Sequence, residues 1–387
     1  MKSIAAVDVL VSGGGIMGMA AAWRMADRGA RVRLLELGRC GQGASQAALG
    51  ALWPPAMVNA GHLQQLHRQS LWDYPHFLQA LYRATGRNVP YLRQGKLELF
   101  SSEKALAQAR QQTAAACEQW PALTPAQADQ SPPIDPVMEM LSPAAARTLE
   151  PMVECGTLES QLCRWSAQVN VEELIAALRQ ACISRGVIIE EFTPATRLDT
   201  LASRVTGIIA DGRTFQAEKY LICTGVWTHL LGQPVAPAVI DPVKGQAMLL
   251  QTQRPVLQHI VKRENIFLVP WPDGRILVGS TTEPEAGYDT INTPDGINFL
   301  RSGANGVCPA LAEATVAKIW AGLRPAGPKR RPVMGKFAQF DNLYICAGHF
   351  KIGIGFAPLA SQAMADLILD GQCAWDLTPF APGRMDN

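Results

Sequence analysis

The stretch that leaves this chain the least room is VDVLVSGGGIMGMAAAWRMADRGARVRLLELG, residues 7–38. An apolar run, VDVLV, reads as a buried strand. Three glycines follow at the spacing Gly13-x-Gly15-x-x-Gly18. Then comes a helical pattern that stops at Gly29, and a second strand that carries Glu36 near its end. Strand, glycine turn, helix and strand in this order specify the first unit of a doubly wound α/β domain. Gly13 serves the sharp turn. Gly15 lets a pyrophosphate approach the backbone, and Gly18 lets the helix pack on the strand. The N–H groups of the first helical turn, around Ile16 and Met17, face the phosphates with the positive end of the helix dipole. Glu36 lies 18 residues beyond Gly18, where a carboxylate binds ribose hydroxyls and disfavours a 2′-phosphate.

The unit alone does not separate NAD from FAD. The next segment, GRCGQGASQAALGALWPP, is rich in small residues and has neither helical nor strand period. Ala44, Ser45, Ala48 and Gly50 in it suit a backbone threaded past a bulky ring system. Two later strands also end in glycine. KYLICTGVWTH places Thr224, Gly225 and Trp227 at a strand end, and NLYICAG runs into GHFKIGIGFAP. That last stretch has too many glycines for a plain helix or strand. Gly348, Lys351, Ile352, Gly353 and Ile354 are therefore candidate cofactor contacts.

Bulk properties narrow the function classes. The chain has 387 residues, enough for about two domains. Its net charge is +2 and no basic tract stands out, which argues against nucleic-acid partners. The nine cysteines include no C-x-x-C pair, so no metal or iron–sulfur site is expected, and reduced thiols in a cytoplasmic protein are the simpler reading. Lys2 and the apolar run after it imitate a signal peptide. Asp8 and the glycines instead belong to the strand–turn–helix unit, and no run of apolar residues is long enough for an integral membrane segment.

Along the rest of the chain, residues 62–84 read as helix and 91–100 as a strand pair around Gly95. Residues 102–119 read as helix, TPAQADQSPPIDP as a loop, and 143–150 as a short helix opened by Ser142-Pro143. Asn170 is the expected N-cap of a helix ending at Gly186, and Asp211-Gly212 and Asp273-Gly274 are hairpin turns. Residues 294–317 read as helix, and a final helix begins near Pro358. The alternation suggests a discontinuous arrangement. One domain takes residues 1–84, 147–226 and 317–387 and holds the dinucleotide. The other takes 85–146 and 227–316 and binds substrate.

Several of these pieces recur together. YLICTGVWT, VKGQ, FLVPWPDGRILVGSTTE, WAGLRP and GHFKIGIGFAP, in this order behind the N-terminal unit, resemble the D-amino-acid-oxidase-like FAD family, nearest its glycine oxidase and sarcosine oxidase branch. The resemblance covers almost the whole chain. It implies a glutathione-reductase-type (Rossmann-like) FAD-binding domain and an α+β substrate domain whose large antiparallel sheet covers the flavin. It also implies oxidation of an amino acid's amine to an imine, with electrons passing to O₂ or another acceptor. Ala195 joins the cofactor contacts on the same ground.

By this resemblance Arg324, in WAGLRP, is the carboxylate clamp, a role that suits a planar guanidinium. Similar glycine oxidases carry a tyrosine where this chain has Phe267 and an arginine where it has Lys351, and Trp271 replaces a frequent arginine. These changes imply a more apolar pocket and a bulkier or N-substituted substrate. His349 is a candidate base, although the reaction needs none. Sarcosine oxidases attach flavin through a cysteine near GLRP. Residues 319–328 contain none, so non-covalent FAD is expected. Two alternatives stay open: a dehydrogenase subunit that passes electrons to a partner or quinone, and a flavin-binding accessory protein without activity. A homo-oligomer is possible.

Overall fold

The computed structural model describes residues 3–55, 58–119, 137–236 and 238–383, so the expected loop at 124–136 lies outside the described residues. Two eight-stranded sheets organise the molecule. In the first, Ser3–Ser12 lies parallel between Val32–Leu35 and Arg213–Ile222, and Ile188–Glu190 extends the edge. The end of Arg213–Ile222 also pairs with Leu343–Ala347 in parallel, while its start pairs with a hairpin turning at Asp211-Gly212. The parallel strands therefore end together, and their C-terminal edge is where a doubly wound sheet places its ligand.

Helix Ile16–Asp27 fills the space over this sheet. Ten of its twelve residues are buried, which a helix of alanine, methionine and glycine tolerates because its outline is narrow. It packs against Gly353–Asp370 and Val171–Ser184 in one apolar cluster. Asn170 caps the latter, accepting from the Glu173 N–H at 3.0 Å as its sequence suggests.

The second sheet runs Thr315–Ala326, Asp241–Gln251, Arg275–Gly279, Ile266–Pro270, Ile260–Arg263, Lys96–Leu99, Ser160–Cys163, Met138–Leu141. All its neighbouring strands are antiparallel except Ile260–Arg263 with Lys96–Leu99. Its membership differs from the expected domain division in two places. Ser160–Cys163 and Thr315–Ala326 pair here rather than with the first sheet. A third, three-stranded sheet joins Ala51–Leu52, Ala167–Val169 and Tyr91–Leu92. Tyr91–Leu92 and Lys96–Leu99 thus belong to different sheets and do not form the expected pair.

Three helix expectations are corrected by proline chemistry. The run 62–84 is two helices, His62–Trp72 and Tyr74–Thr85, because Pro75 has no N–H to continue the first. The helix from Pro294 stops at Val307, where Cys308 precedes Pro309 and takes an extended conformation. The last helix begins at Gly353, five residues before Pro358.

Pro358 sits inside that helix because Ser70 repairs the ladder. The buried Ser70 hydroxyl donates to the Gly355 carbonyl at 2.8 Å and accepts from the Leu359 N–H at 3.2 Å. Those two backbone groups would otherwise bond each other. Ser70→Ala leaves both without that bridge and is expected to cost about 1–3 kcal/mol, seen as a lower denaturant midpoint. An unchanged midpoint would show that the helix closes the gap unaided.

Candidate functional site

A groove of about 520 Å³ runs along the C-terminal ends of the parallel strands. Its first wall is the glycine turn and the helix it opens, with Gly13, Gly15, Ile16 and Met17 on the surface. Gly13 adopts φ +105°, and a Cβ there would lie 2.4 Å from the Cys223 carbonyl oxygen. At Gly15 the nearest protein atom to such a Cβ is the Ser45 hydroxyl at 3.5 Å, so the space beyond it belongs to the groove. Ser45 accepts from the Ile16 N–H at 2.9 Å and fixes the neighbouring loop against the helix start. Gly18 faces away from the groove and allows the helix–strand contact. Glu36 lines the groove, held by the N–H groups of Gly14 at 2.6 Å and Gly38 at 2.9 Å. These features fit a dinucleotide: a helix N-terminus, room at Gly15 for a phosphate, and a positioned carboxylate for a ribose.

Ala44, Ser45, Ala48 and Ala195 also line the groove, as do Thr224, Gly225 and Trp227. The Trp227 ring stacks on Tyr288 with centroids 5.0 Å apart. Gly348, His349, Lys351, Gly353 and Ile354 close the far end. Two expected cofactor contacts do not line the groove. Gly50 does not line the groove, and a Cβ there would lie 2.1 Å from the Val169 carbonyl, so its role is a close backbone contact. Gly355, in the same stretch, lies against Leu71 and His67 of the neighbouring helix and does not line the groove. Ile352 flanks the helix Gly353–Asp370 and packs on the apolar cluster rather than lining the groove.

The second sheet lies beyond this end. Gly322 and Ala47 meet so closely that a Cβ on Gly322 would come within 2.3 Å of the alanine methyl, and Trp320 Nε1 donates to the Ala47 carbonyl at 3.0 Å. The next residues of that strand carry Arg324. Its guanidinium donates to the carbonyls of Lys244 at 3.3 Å and Thr281 at 3.1 Å, and to the Ser280 hydroxyl at 2.8 Å. Burial pushes its pKa down and Glu283 partly restores it, but an arginine remains charged. Glu283 is itself engaged by Gln246, Thr281 and Lys244. Among the described residues no carboxylate pairs with Arg324. A half-buried guanidinium held only by neutral oxygens is prepared for an incoming carboxylate.

Lys351 Nζ donates to the Thr282 hydroxyl at 3.3 Å. Burial lowers its pKa, with Arg324 and Arg330 adding repulsion, so the two candidate cations feel each other. Phe267 meets Trp53 edge to face, centroids 5.4 Å apart, beneath Gly279. Leu49 belongs to the same apolar cluster. Trp271 is buried just past the end of Ile266–Pro270, with the Arg275 guanidinium over its ring. His349 is also buried, its Nε2 3.9 Å from Cys346 Sγ and its ring 5.8 Å from Phe356. The structure thus sets Arg324, between the groove-lining Leu323 and Pro325, within electrostatic reach of Lys351, while Phe267 packs with Trp53 and Leu49 and His349 contacts a thiol and an aromatic ring.

Sequence reasoning missed Ser280, which orients Arg324, and Gly245, where a Cβ would lie 2.1 Å from the guanidinium. The signal for Gly245 is its place in VKGQ, but its use depends on the antiparallel pairing of Asp241–Gln251 with Thr315–Ala326.

Glu98 binds Lys262 and Lys96, whose ammonium lies over the Trp53 ring. Burial alone would raise its carboxyl, but the two ammonium groups outweigh it and hold the value at about 2. A depressed carboxyl stabilises the fold above its unfolded value, near 4.5, and loses that contribution as pH falls towards 2. Glu98→Gln is expected to cost about 3 kcal/mol at neutral pH. The gap to the parent should close as unfolding is measured down through that window, and a gap independent of pH would contradict the assignment.

Known proteins resemble this one along its full length. A family profile described as FAD dependent oxidoreductase matches residues 8–367. The chain is 31% identical to the bifunctional protein ThiO/ThiG of Synechocystis sp., with 97% of this chain aligned to 54% of that longer protein, so it spans about half of it. It is 29% identical to the glycine oxidase of Geobacillus kaustophilus, covering 97% of each. The crystal structure of glycine oxidase from Geobacillus kaustophilus matches with a TM-score of 0.88 at 27% identity, covering 99% of this chain and 100% of that one. Among the described residues no helix is long and apolar enough to cross a membrane.

Proposed function

The chain belongs to the FAD-dependent oxidoreductase family, and we propose that it oxidises the amine of an amino acid to an imine that water converts to an oxo acid. The observation that carries this reading is Arg324, a half-buried guanidinium at the groove's end with no carboxylate of its own among the described residues. When bound, non-covalent FAD supplies the acceptor for the hydride that leaves the α-carbon. The protein's work is positioning. Arg324 holds the substrate carboxylate, with Ser280 fixing the angle of the fork. Phe267, Trp53 and Leu49 form an apolar wall for the substituent on carbon or nitrogen. Lys351 adds positive potential on the groove side. Fixing the α-carbon in one pose is worth more here than an acid or base, because a neutral amine needs no further proton removal before oxidation.

The glycine-region and aromatic changes favour substrates larger than glycine, such as N-substituted or D-amino acids. A turnover panel of glycine, sarcosine, D-proline and larger N-substituted amino acids tests this in air. The expected result is one hydrogen peroxide per oxo acid formed with at least one of them, larger substrates being preferred. Oxo acid without peroxide would assign the electrons to another acceptor, and turnover of none would contradict the reading.

A further inference from the structure

We propose that Cys223 and Cys346 are a dithiol pair on the floor of the groove that hydrogen peroxide converts reversibly to a disulfide. The strands Arg213–Ile222 and Leu343–Ala347 run parallel and in register, with Tyr220 opposite Leu343, Leu221 opposite Tyr344 and Ile222 opposite Ile345. One further step sets Cys223 beside Cys346. Strand alternation sends both thiols to the same face. The clusters agree, since Leu221, Cys223, Tyr344 and Cys346 share one apolar cluster, while Ile222 and Ile345 belong to the cluster on the other face.

Paired strands lie about 4.8 Å apart. A disulfide spans Cα separations of roughly 4.4–6.8 Å, so the backbone need not move far to admit the bond. Both residues are nearly inaccessible, at 8% and 1%, yet both line the groove assigned to FAD, so the oxidant that reaches them is one small enough to pass beside the bound cofactor. Their chemistry is also divided in the useful sense. The hydrogen bond from Cys223 and the nearby His349 hold Cys346 below the usual thiol value despite its burial. Cys223 is pushed up, first by burial and then by Cys346. Elsewhere burial pushes Cys40 and Cys182 up to about 12, which leaves them inert.

The reaction balances with peroxide alone. The Cys346 thiolate attacks one peroxide oxygen and the O–O bond breaks. The departing hydroxide takes up the proton that Cys346 had released and becomes water, leaving Cys346 as its sulfenic acid. The Cys223 sulfur then attacks the Cys346 sulfur. The S–S bond forms, the S–O bond breaks, and the Cys223 proton leaves with the hydroxyl as a second water. Two thiols lose two electrons and one peroxide is reduced to two waters.

The test treats the holoenzyme with hydrogen peroxide, removes the oxidant, denatures the protein in an alkylating reagent to block every remaining thiol, and sequences the digest by tandem mass spectrometry. The expected result is a linked peptide pair joining Cys223 and Cys346, lost after reduction with dithiothreitol and lost in Cys223→Ser. The exposed Cys117 is the internal control for oxidant delivery. Recovery of Cys223 and Cys346 both alkylated while Cys117 is oxidised would overturn the proposal. Oxidation of Cys346 to a sulfinic acid with no linked pair would overturn it equally.

Discussion

Arg324→Ala is expected to raise KM for carboxylate-bearing substrates by about 100-fold or more while bound FAD is retained, since losing one partner of a desolvated charge pair costs roughly 2–5 kcal/mol. The guanidinium donates to the Lys244 and Thr281 carbonyls and the Ser280 hydroxyl, and does not line the groove assigned to FAD. Its removal therefore acts on substrate rather than cofactor. Arg324→Lys keeps the charge but loses the fork, and should recover only part of the loss. An amine without a carboxylate should be oxidised equally by parent and variant. Steady-state kinetics with both substrate types makes the comparison, and an unchanged KM for the amino acid would take Arg324 out of the site.

Gly18→Ala is expected to yield protein without FAD and with apparent stability lower by about 3 kcal/mol or more, because backbone must move to admit one methyl. The added Cβ would sit 1.8 Å from the Gly13 carbonyl oxygen, a backbone atom fixed by the turn. The helix cannot retreat, since ten of its twelve residues are buried against other elements. Moving it also displaces the N–H groups that face the groove. Gly306→Ala provides the contrast, because nothing lies within 4 Å of a Cβ there. It should leave flavin absorbance and melting temperature near those of the parent. If Gly18→Ala purified yellow with parental stability, the close contact would not be a constraint.

Much of the first domain is legible in the sequence because its signals are local. Gly13, Gly18 and Glu36 lie within one strand–turn–helix–strand unit, and Asn170 caps its helix through a residue three positions away. Proline punctuation was harder to read. Pro75 and Pro309 each end a helix that apolar spacing alone would continue. Pro358 does the opposite, because Ser70, distant in sequence, supplies the missing link. The same distance hid the surroundings of Arg324. Lys244, Gly245, Ser280 and Thr281 reach it only through strand pairings across tens of residues. Motif spacing cannot show that Gly245 clears room for the guanidinium, or that Cys223 and Cys346 stand side by side.

The central claim is that this chain holds FAD and takes electrons from an amino acid held by its carboxylate. Anaerobic mixing of the purified holoprotein with an amino acid and, separately, with its methyl ester tests it most directly. The expected result is rapid loss of the oxidised flavin's visible absorbance with the acid, much slower loss with the ester, and no such difference in Arg324→Ala. Persistent oxidised flavin with every amino acid tried, or equal bleaching by acid and ester in the parent protein, would contradict it.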